Sequence, residues 1–207
     1  MIAKITAVIL AGGKSSRFGS DKAFIKIEGA PLIRKQIKIL KNIFKKIIIV
    51  TNTPAKYKLK NVKVISDIIP GLGPLSGIHA GLSASDSFYN FVMACDMPFI
   101  TLSLIRYIMR NKNSYDIIIP KIDKKTHPLF GVYSKNCIPV IEKMLKQDKL
   151  NVSSLFIKVK SRFILKEEIE KFDTDLSSLI NINTKEELEV AKKMRGANLC
   201  QNKYLQK

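Results

Sequence analysis

The sequence predicts an α/β protein built as three layers, α/β/α, around a mostly parallel Rossmann-like sheet. Three observations carry that expectation. Short β-branched runs alternate with stretches whose apolar residues recur at helical spacing, the pattern of βαβ units. Several of the runs end in small or polar residues, as strands do where an α/β sheet meets its ligand. At 207 residues, 46% of them hydrophobic, the chain can fill one core of ordinary size.

The elements follow in order. Ile5–Leu10 is an apolar strand stopping at Ala11-Gly12-Gly13. Pro31 takes a first helical position, and Leu32, Ile33, Gln36, Ile37, Leu40 and Phe44 recur behind it at helical spacing. Lys46–Val50 is a strand ending at Thr51-Asn52, and Val62–Ser66 another, ending at Asp67. A helix runs from about Leu75 to Ala84, and a strand from Asn90 to Ala94 leads to Cys95-Asp96. A helix over 102–111, a strand over 115–119, a strand over 129–134 and a helix over 138–147 come next. The last third reads as a helical patch over 152–159, a charged stretch over 166–175, a strand over 179–182 and a helix over 185–193. One domain over 1–195 is expected, with a flexible tail over 196–207.

Composition narrows the function classes. No run approaches the roughly 18 apolar residues of a membrane helix. Met1–Thr6 lacks a signal-peptide pattern, so a cytoplasmic protein is expected. The three cysteines form no C-x-x-C pair, which argues against a zinc site or a disulfide framework. Net charge is +19, and ten basic residues with no acidic one lie between Arg34 and Lys63. That field favours anionic partners, but no nucleic-acid motif accompanies it, and surface lysines are the simpler reading.

The chemistry concentrates in "VILAGGKSSRFGSDK", residues 8–22. Gly13-Lys14-Ser15 imitates the end of a P-loop, yet Val8 stands where the first glycine of that loop is required. The dinucleotide fingerprint fails too, because Gly12 and Gly13 are adjacent and the next glycine is Gly19. What remains is a strand running into a glycine-rich, basic loop. Its backbone can approach a ligand closely, and Arg17 and Lys22 can meet phosphate.

"LAGGKSSRFGSDKAFIKIEGAPLI" closely resembles the L-A-G-G-x-S-x-R-[FM]-G-x-D-K signature of the MobA-type nucleotidyltransferases. The likeness continues through Asn52, Asp67 before "GLGPLSG", "CDMPFI" at 95–100, His127-Pro128 and "NINTKEEL" at 181–188. It implies the nucleotide-diphospho-sugar transferase fold, and transfer of GMP from GTP to the terminal phosphate of molybdopterin or its molybdenum-loaded form. It also implies a role for each matching residue. Leu10, Ala11, Gly12 and Gly13 would cradle the nucleotide, and Asn52 and Asp67 would fix base and ribose. Gly77 would let its helix approach, Asp96 would hold Mg²⁺, and Arg17 and Lys22 would neutralise the leaving pyrophosphate. His127, Asn181 and Asn183 fall on the possible pterin side. Asn183 or Thr184 is equally able to cap the last helix, with Glu187 at capping-box spacing from Thr184. GTP, molybdopterin and molybdenum-cofactor carrier proteins are the implied partners; neither nucleic acid nor membrane is expected. Relatives using CTP usually show L-A-A-G, so Gly12-Gly13 favours the purine. A CTP-using or sugar-phosphate nucleotidyltransferase, or a non-catalytic nucleotide-binding protein, remain the alternatives.

Overall fold

The computed structural model describes residues 5–12, 22–27, 29–67, 72–184, 186, 187, 189 and 190. Among them the strands are β1 (Ile5–Leu10), β2 (Lys26–Ile27), β3 (Ala30–Pro31), β4 (Lys46–Val50), β5 (Lys63–Ile65), β6 (Tyr89–Ala94), β7 (Ile117–Ile122), β8 (Lys125–Thr126), β9 (Phe130–Ser134) and β10 (Ser161–Leu165). The helices are α1 (Leu32–Leu40), α2 (Pro74–Ala84), α3 (Leu102–Arg110), α4 (Cys137–Lys146), α5 (Ser153–Phe156) and α6 (Lys166–Glu170).

The main sheet has the order β10-β7-β9-β6-β1-β4-β5, with β8 paired to β7. β5, β4, β1 and β6 run parallel, as do β7 and β10. β9 is antiparallel to both its neighbours, β6 and β7. The sheet is therefore mostly parallel, as expected. β2 and β3 pair separately as a small hairpin.

β1 is buried along its whole length because both faces of the sheet are covered. Ala7, Ile9 and Ala11 join the core that contains Ile33 and Ile37 of α1 and Leu104 and Ile108 of α3. Val8 and Leu10 point into the opposite core, with Leu75 and Ile78 of α2 and Ile141 and Met144 of α4. These two cores make the three layers. α1 buries the apolar stripe that its sequence shows and turns Arg34 and Lys38 outward, with Lys41 exposed just past its end. Pro31 stands one place earlier than expected, as the cap residue before Leu32. α2 lies so close to β1 that a Cβ on Gly81 would overlap Val8 Cγ1.

Because β5, β4, β1 and β6 are parallel, their carboxyl ends share one edge. The chain leaves β1 towards β4 on one side and later returns to place β6 on the other, so the order of strand addition reverses between β1 and β6 while the strands stay parallel. A crevice outside such a switch point is where an open α/β sheet binds its ligand.

Two readings of the last third need correction. The expected strand over 179–182 is a single 3-10 turn, Ser177–Leu179, followed by unpaired extended chain. Its apolar residues are buried by docking rather than pairing: Ile182 packs with Ile27, Leu32 and Phe99. The strand β10, absent from the sequence reading, adds to the outer side of β7. The proposed tail over 196–207 lies outside the described residues.

Candidate active site

The glycine shelf is fixed by the backbone. Ala11 donates its N–H to Val50 O at 2.8 Å, and Cys95 donates to Leu10 O at 3.0 Å. The ends of β4, β1 and β6 are thus joined immediately before the chain turns away. Gly12 is exposed beside Asn52, close enough that a Cβ on Gly12 would lie 3.8 Å from Asn52 Nδ2. Gly77 sits beneath this shelf: a Cβ there would lie 3.4 Å from Leu10 Cδ2, an ordinary van der Waals contact, so the close seating of α2 on β1 depends on Gly81 and not on Gly77. Asp67, past the end of β5, accepts the hydroxyl hydrogen of Ser76 in the first turn of α2. Gly13 and Arg17 lie outside the described residues.

On the β6 side of the switch point a polar cluster closes over Asp96. Lys22 Nζ lies 3.4 Å from Asp96 Oδ2 and donates to Asn183 Oδ1 at 2.6 Å. Asn181 Nδ2 donates to Asp96 Oδ1 at 2.8 Å, and Ile182 N–H donates to the Asp96 carbonyl at 2.9 Å. The chain over 181–183 is therefore laid along the end of β6, and both asparagine side chains meet the Lys22–Asp96 pair. The helix cap is made elsewhere. Glu187 accepts from the N–H groups of Asn183 and Thr184 at 2.6 and 3.3 Å, while Thr184 Oγ1 accepts from Glu187 N–H at 3.1 Å. This reciprocal box leaves the amides of Asn181 and Asn183 available to the site.

Two supporting groups escaped the sequence reading. Gln36, fully buried in α1, donates its amide to the carbonyls of Ala94, Cys95 and Met97 at 3.3, 3.3 and 2.8 Å. It thereby holds the turn that carries Asp96, and the available signal was a glutamine inside an apolar stripe. Asp173, 4% exposed, accepts from Thr101 Oγ1, Ser177 Oγ and Ser178 N–H at 3.2, 3.2 and 2.9 Å. Ser178 Oγ accepts in turn from Thr101 N–H at 2.9 Å. This latch fixes the segment that leads into Asn181.

His127 occupies the same edge, since Leu129 O accepts from Ala94 N–H at 3.0 Å and brings the start of β9 beside the end of β6. It borders a cavity of about 420 Å³ together with Lys124, Lys125, Asp175, Leu179 and Ile180. Burial, aided by the charge of Lys125, lowers the His127 imidazole from 6.5 to about 4. The ring is therefore neutral at pH 7. Ile180 on the cavity wall directly precedes Asn181, so cavity and cluster are consecutive along the chain.

A divalent ion fits the donor chemistry. Among the described residues no three His, Cys, Asp or Glu side chains form a self-sufficient metal cage. Asp96 and Asn183 instead direct two hard oxygens at one cation, the Lys22 ammonium. Mg²⁺ characteristically takes one or two protein oxygens and completes its shell with phosphate and water.

The sequence profile of the MobA-like NTP transferase domain matches residues 7–161. The chain belongs to this family. A relative from Clostridium perfringens, "Probable molybdenum cofactor guanylyltransferase", is 42% identical over 90% of this chain and 95% of its own length. The Desulfosudis oleivorans protein "Molybdenum cofactor guanylyltransferase" is 38% identical over 90% and 94%. Among solved structures, molybdopterin-guanine dinucleotide biosynthesis protein A from Archaeoglobus fulgidus superposes with a TM-score of 0.79 at 25% identity. That match covers 93% of this chain and 99% of the other. This MobA-like chain is accordingly a nucleotidyltransferase with the nucleotide-diphospho-sugar transferase fold. No described helix is long and apolar enough to cross a membrane.

Proposed function

We propose that this MobA-like enzyme transfers GMP from GTP to the terminal phosphate of molybdopterin, free or molybdenum-loaded, in the cytoplasm. An acceptor phosphate oxygen attacks the α-phosphorus in line. The bond from that phosphorus to the bridging oxygen breaks, and pyrophosphate leaves with the electron pair. No covalent enzyme intermediate is needed, so the residues act by alignment and charge neutralisation.

The observation that carries this reading is the meeting of Lys22 and Asp96 at the switch point, beside the Leu10–Gly12 shelf. Gly12 and Asn52 offer an open surface against which a purine nucleoside can lie, with Asp67 one strand further out for the ribose. Asp96 would hold Mg²⁺, which when bound offsets charge on the phosphates and on the departing pyrophosphate. Lys22 supplies positive charge from the protein side, and Arg17 joins it by the resemblance of its loop. The cavity bordered by His127, contiguous in sequence with Asn181, suits the pterin. Its neutral imidazole can exchange hydrogen bonds with a heterocycle without adding charge. Carrier proteins for the molybdenum cofactor are the expected protein partners.

The test is nucleotide-selective stabilisation. With Mg²⁺, GTP at 100 times its dissociation constant should raise the melting temperature by roughly 5–10 °C, and CTP, UTP and ATP by clearly less. Equal shifts with all four would remove the guanine assignment.

A further inference from the structure

The Lys22 ammonium occupies an arrangement with the character of a cation site. An ammonium has only donors, so the Asn183 atom 2.6 Å away must be the amide oxygen. An ionised carboxylate only accepts, so Asn181 must present its NH₂ to Asp96 Oδ1. Both amide orientations are thereby fixed by chemistry. Asp96 Oδ2 and Asn183 Oδ1 converge on one positive centre, and Asn181 holds the far oxygen of the carboxylate so that Oδ2 stays turned inward. The pair is only partly exposed, at 21% for Lys22 and 18% for Asp96. The ammonium is 3.4 Å from Asp96, longer than the 2.7–2.9 Å usual for a charge-assisted hydrogen bond, so Asn183 is its tighter partner.

We infer that Lys22 and a divalent cation are alternative occupants of this two-oxygen cradle, with Asn183 Oδ1 as a protein ligand beside Asp96. The inference rests on the assignment of the metal to Asp96 made above and adds a role for Asn183 and an exchange step. In the nucleotide-free protein the lysine neutralises the carboxylate and blocks the ion. A divalent cation carried in by a triphosphate competes better, because the phosphates contribute further oxygens and at the same time offer the displaced ammonium a new anionic partner. The flexible stem of Lys22 allows this, while its neighbour Ala23, fully buried, anchors the turn from which it extends. The exchange keeps the free protein from taking up metal alone and delivers Lys22 to the phosphates only when metal and nucleotide arrive together.

Mn²⁺ binding to the nucleotide-free protein, followed by loss of the free-ion electron paramagnetic resonance signal, tests the exchange without reference to turnover. Lys22→Met should bind Mn²⁺ about two- to fivefold more tightly than the wild type, the competition of a partly exposed ion pair having been removed. Adding Asp96→Asn to that variant should abolish the gain, and adding Asn183→Ala should lose most of it. Lys22→Gln provides a second neutral side chain should the methionine variant melt at lower temperature. Equal or weaker Mn²⁺ binding by both Lys22 variants overturns the exchange. Retention of the whole gain after Asn183→Ala overturns the ligand role of Asn183. If Mn²⁺ with GTP binds the wild type no better than Asp96→Asn, the metal assignment itself fails and the exchange with it.

Discussion

Gln36, in the middle of α1, donates its side-chain amide to the carbonyl oxygen of Met97 at 2.8 Å. The same NH₂ lies 3.3 Å from the carbonyls of Ala94 and Cys95, so one buried glutamine gathers three carbonyls of the single turn that carries Asp96. Replacing it with leucine would leave those carbonyls buried without that donor. Gln36→Leu should therefore cost about 2 kcal/mol in urea unfolding. Gln36→Glu should cost more, because a carboxylate would face carbonyl oxygens. A leucine variant as stable as the wild type would show that the amide does not hold the turn.

Gly81 tests how tightly α2 is seated on the sheet. An alanine there would meet Val8 Cγ1, a stiff β-branched side chain in the central strand. Gly81→Ala should destabilise by about 1–3 kcal/mol, and combination with Val8→Ala should cost less than the two single changes added together. Simple additivity in a thermal-melting cycle would place the strain elsewhere.

Asp173 ties the segment before Asn181 to the start of α3 through Thr101, Ser177 and Ser178. Asp173→Ala removes a buried acceptor from all three donors and should cost about 3 kcal/mol. Asp173→Asn, which keeps one oxygen, should cost less. Unfolding curves that rank the two variants the other way would contradict this account of the latch.

His127 carries a pH signature. Its folded value, about 4, lies below the ordinary 6.5, so between these the unfolded chain binds more protons than the folded one. Its contribution is thus present above about pH 6.5 and lost as the pH falls towards 4. The full loss is on the order of 3 kcal/mol. His127→Asn should flatten the stability profile in that window relative to the wild type. Parallel profiles for the two proteins would mean that the imidazole is not held neutral.

The lysines of α1 and the turn after it are expected to be solvated surface. Lys38, Lys41 and Lys45 are exposed and lie away from the carboxyl edge of the sheet. Changing all three to glutamine should alter the acceptor KM by less than about twofold, since the remaining net charge still steers anions. A large rise in KM would show that this face takes part in acceptor capture.

What was legible in the sequence follows from burial. β1 and β4 have the bounds their apolar runs suggest, because both faces of these central strands are covered. β10 was not legible, since Ile164 is its only fully buried residue and an edge strand needs no apolar run. Leu179, Ile180 and Ile182 looked like a strand because docking onto the carboxyl edge demands the same apolar residues as pairing does. At the site, the residue types at Gly12, Asn52, Asp67 and Asp96 stood out as strand ends. The closure of Asn181 and Asn183 onto Asp96 and Lys22 did not, since it joins residues 85 and 161 positions apart. Spacing carries no trace of such contacts. Gln36 was in view as a stripe residue, but its partners lie in another element.

Transfer itself is tested most directly by mass analysis of the products formed from GTP, molybdopterin and Mg²⁺, with CTP in parallel. The account predicts pyrophosphate and a GMP adduct of molybdopterin in equal amounts, GTP favoured over CTP by at least about tenfold, and loss of both products in Asp96→Asn. Release of orthophosphate without an adduct, or equal use of CTP, would contradict it.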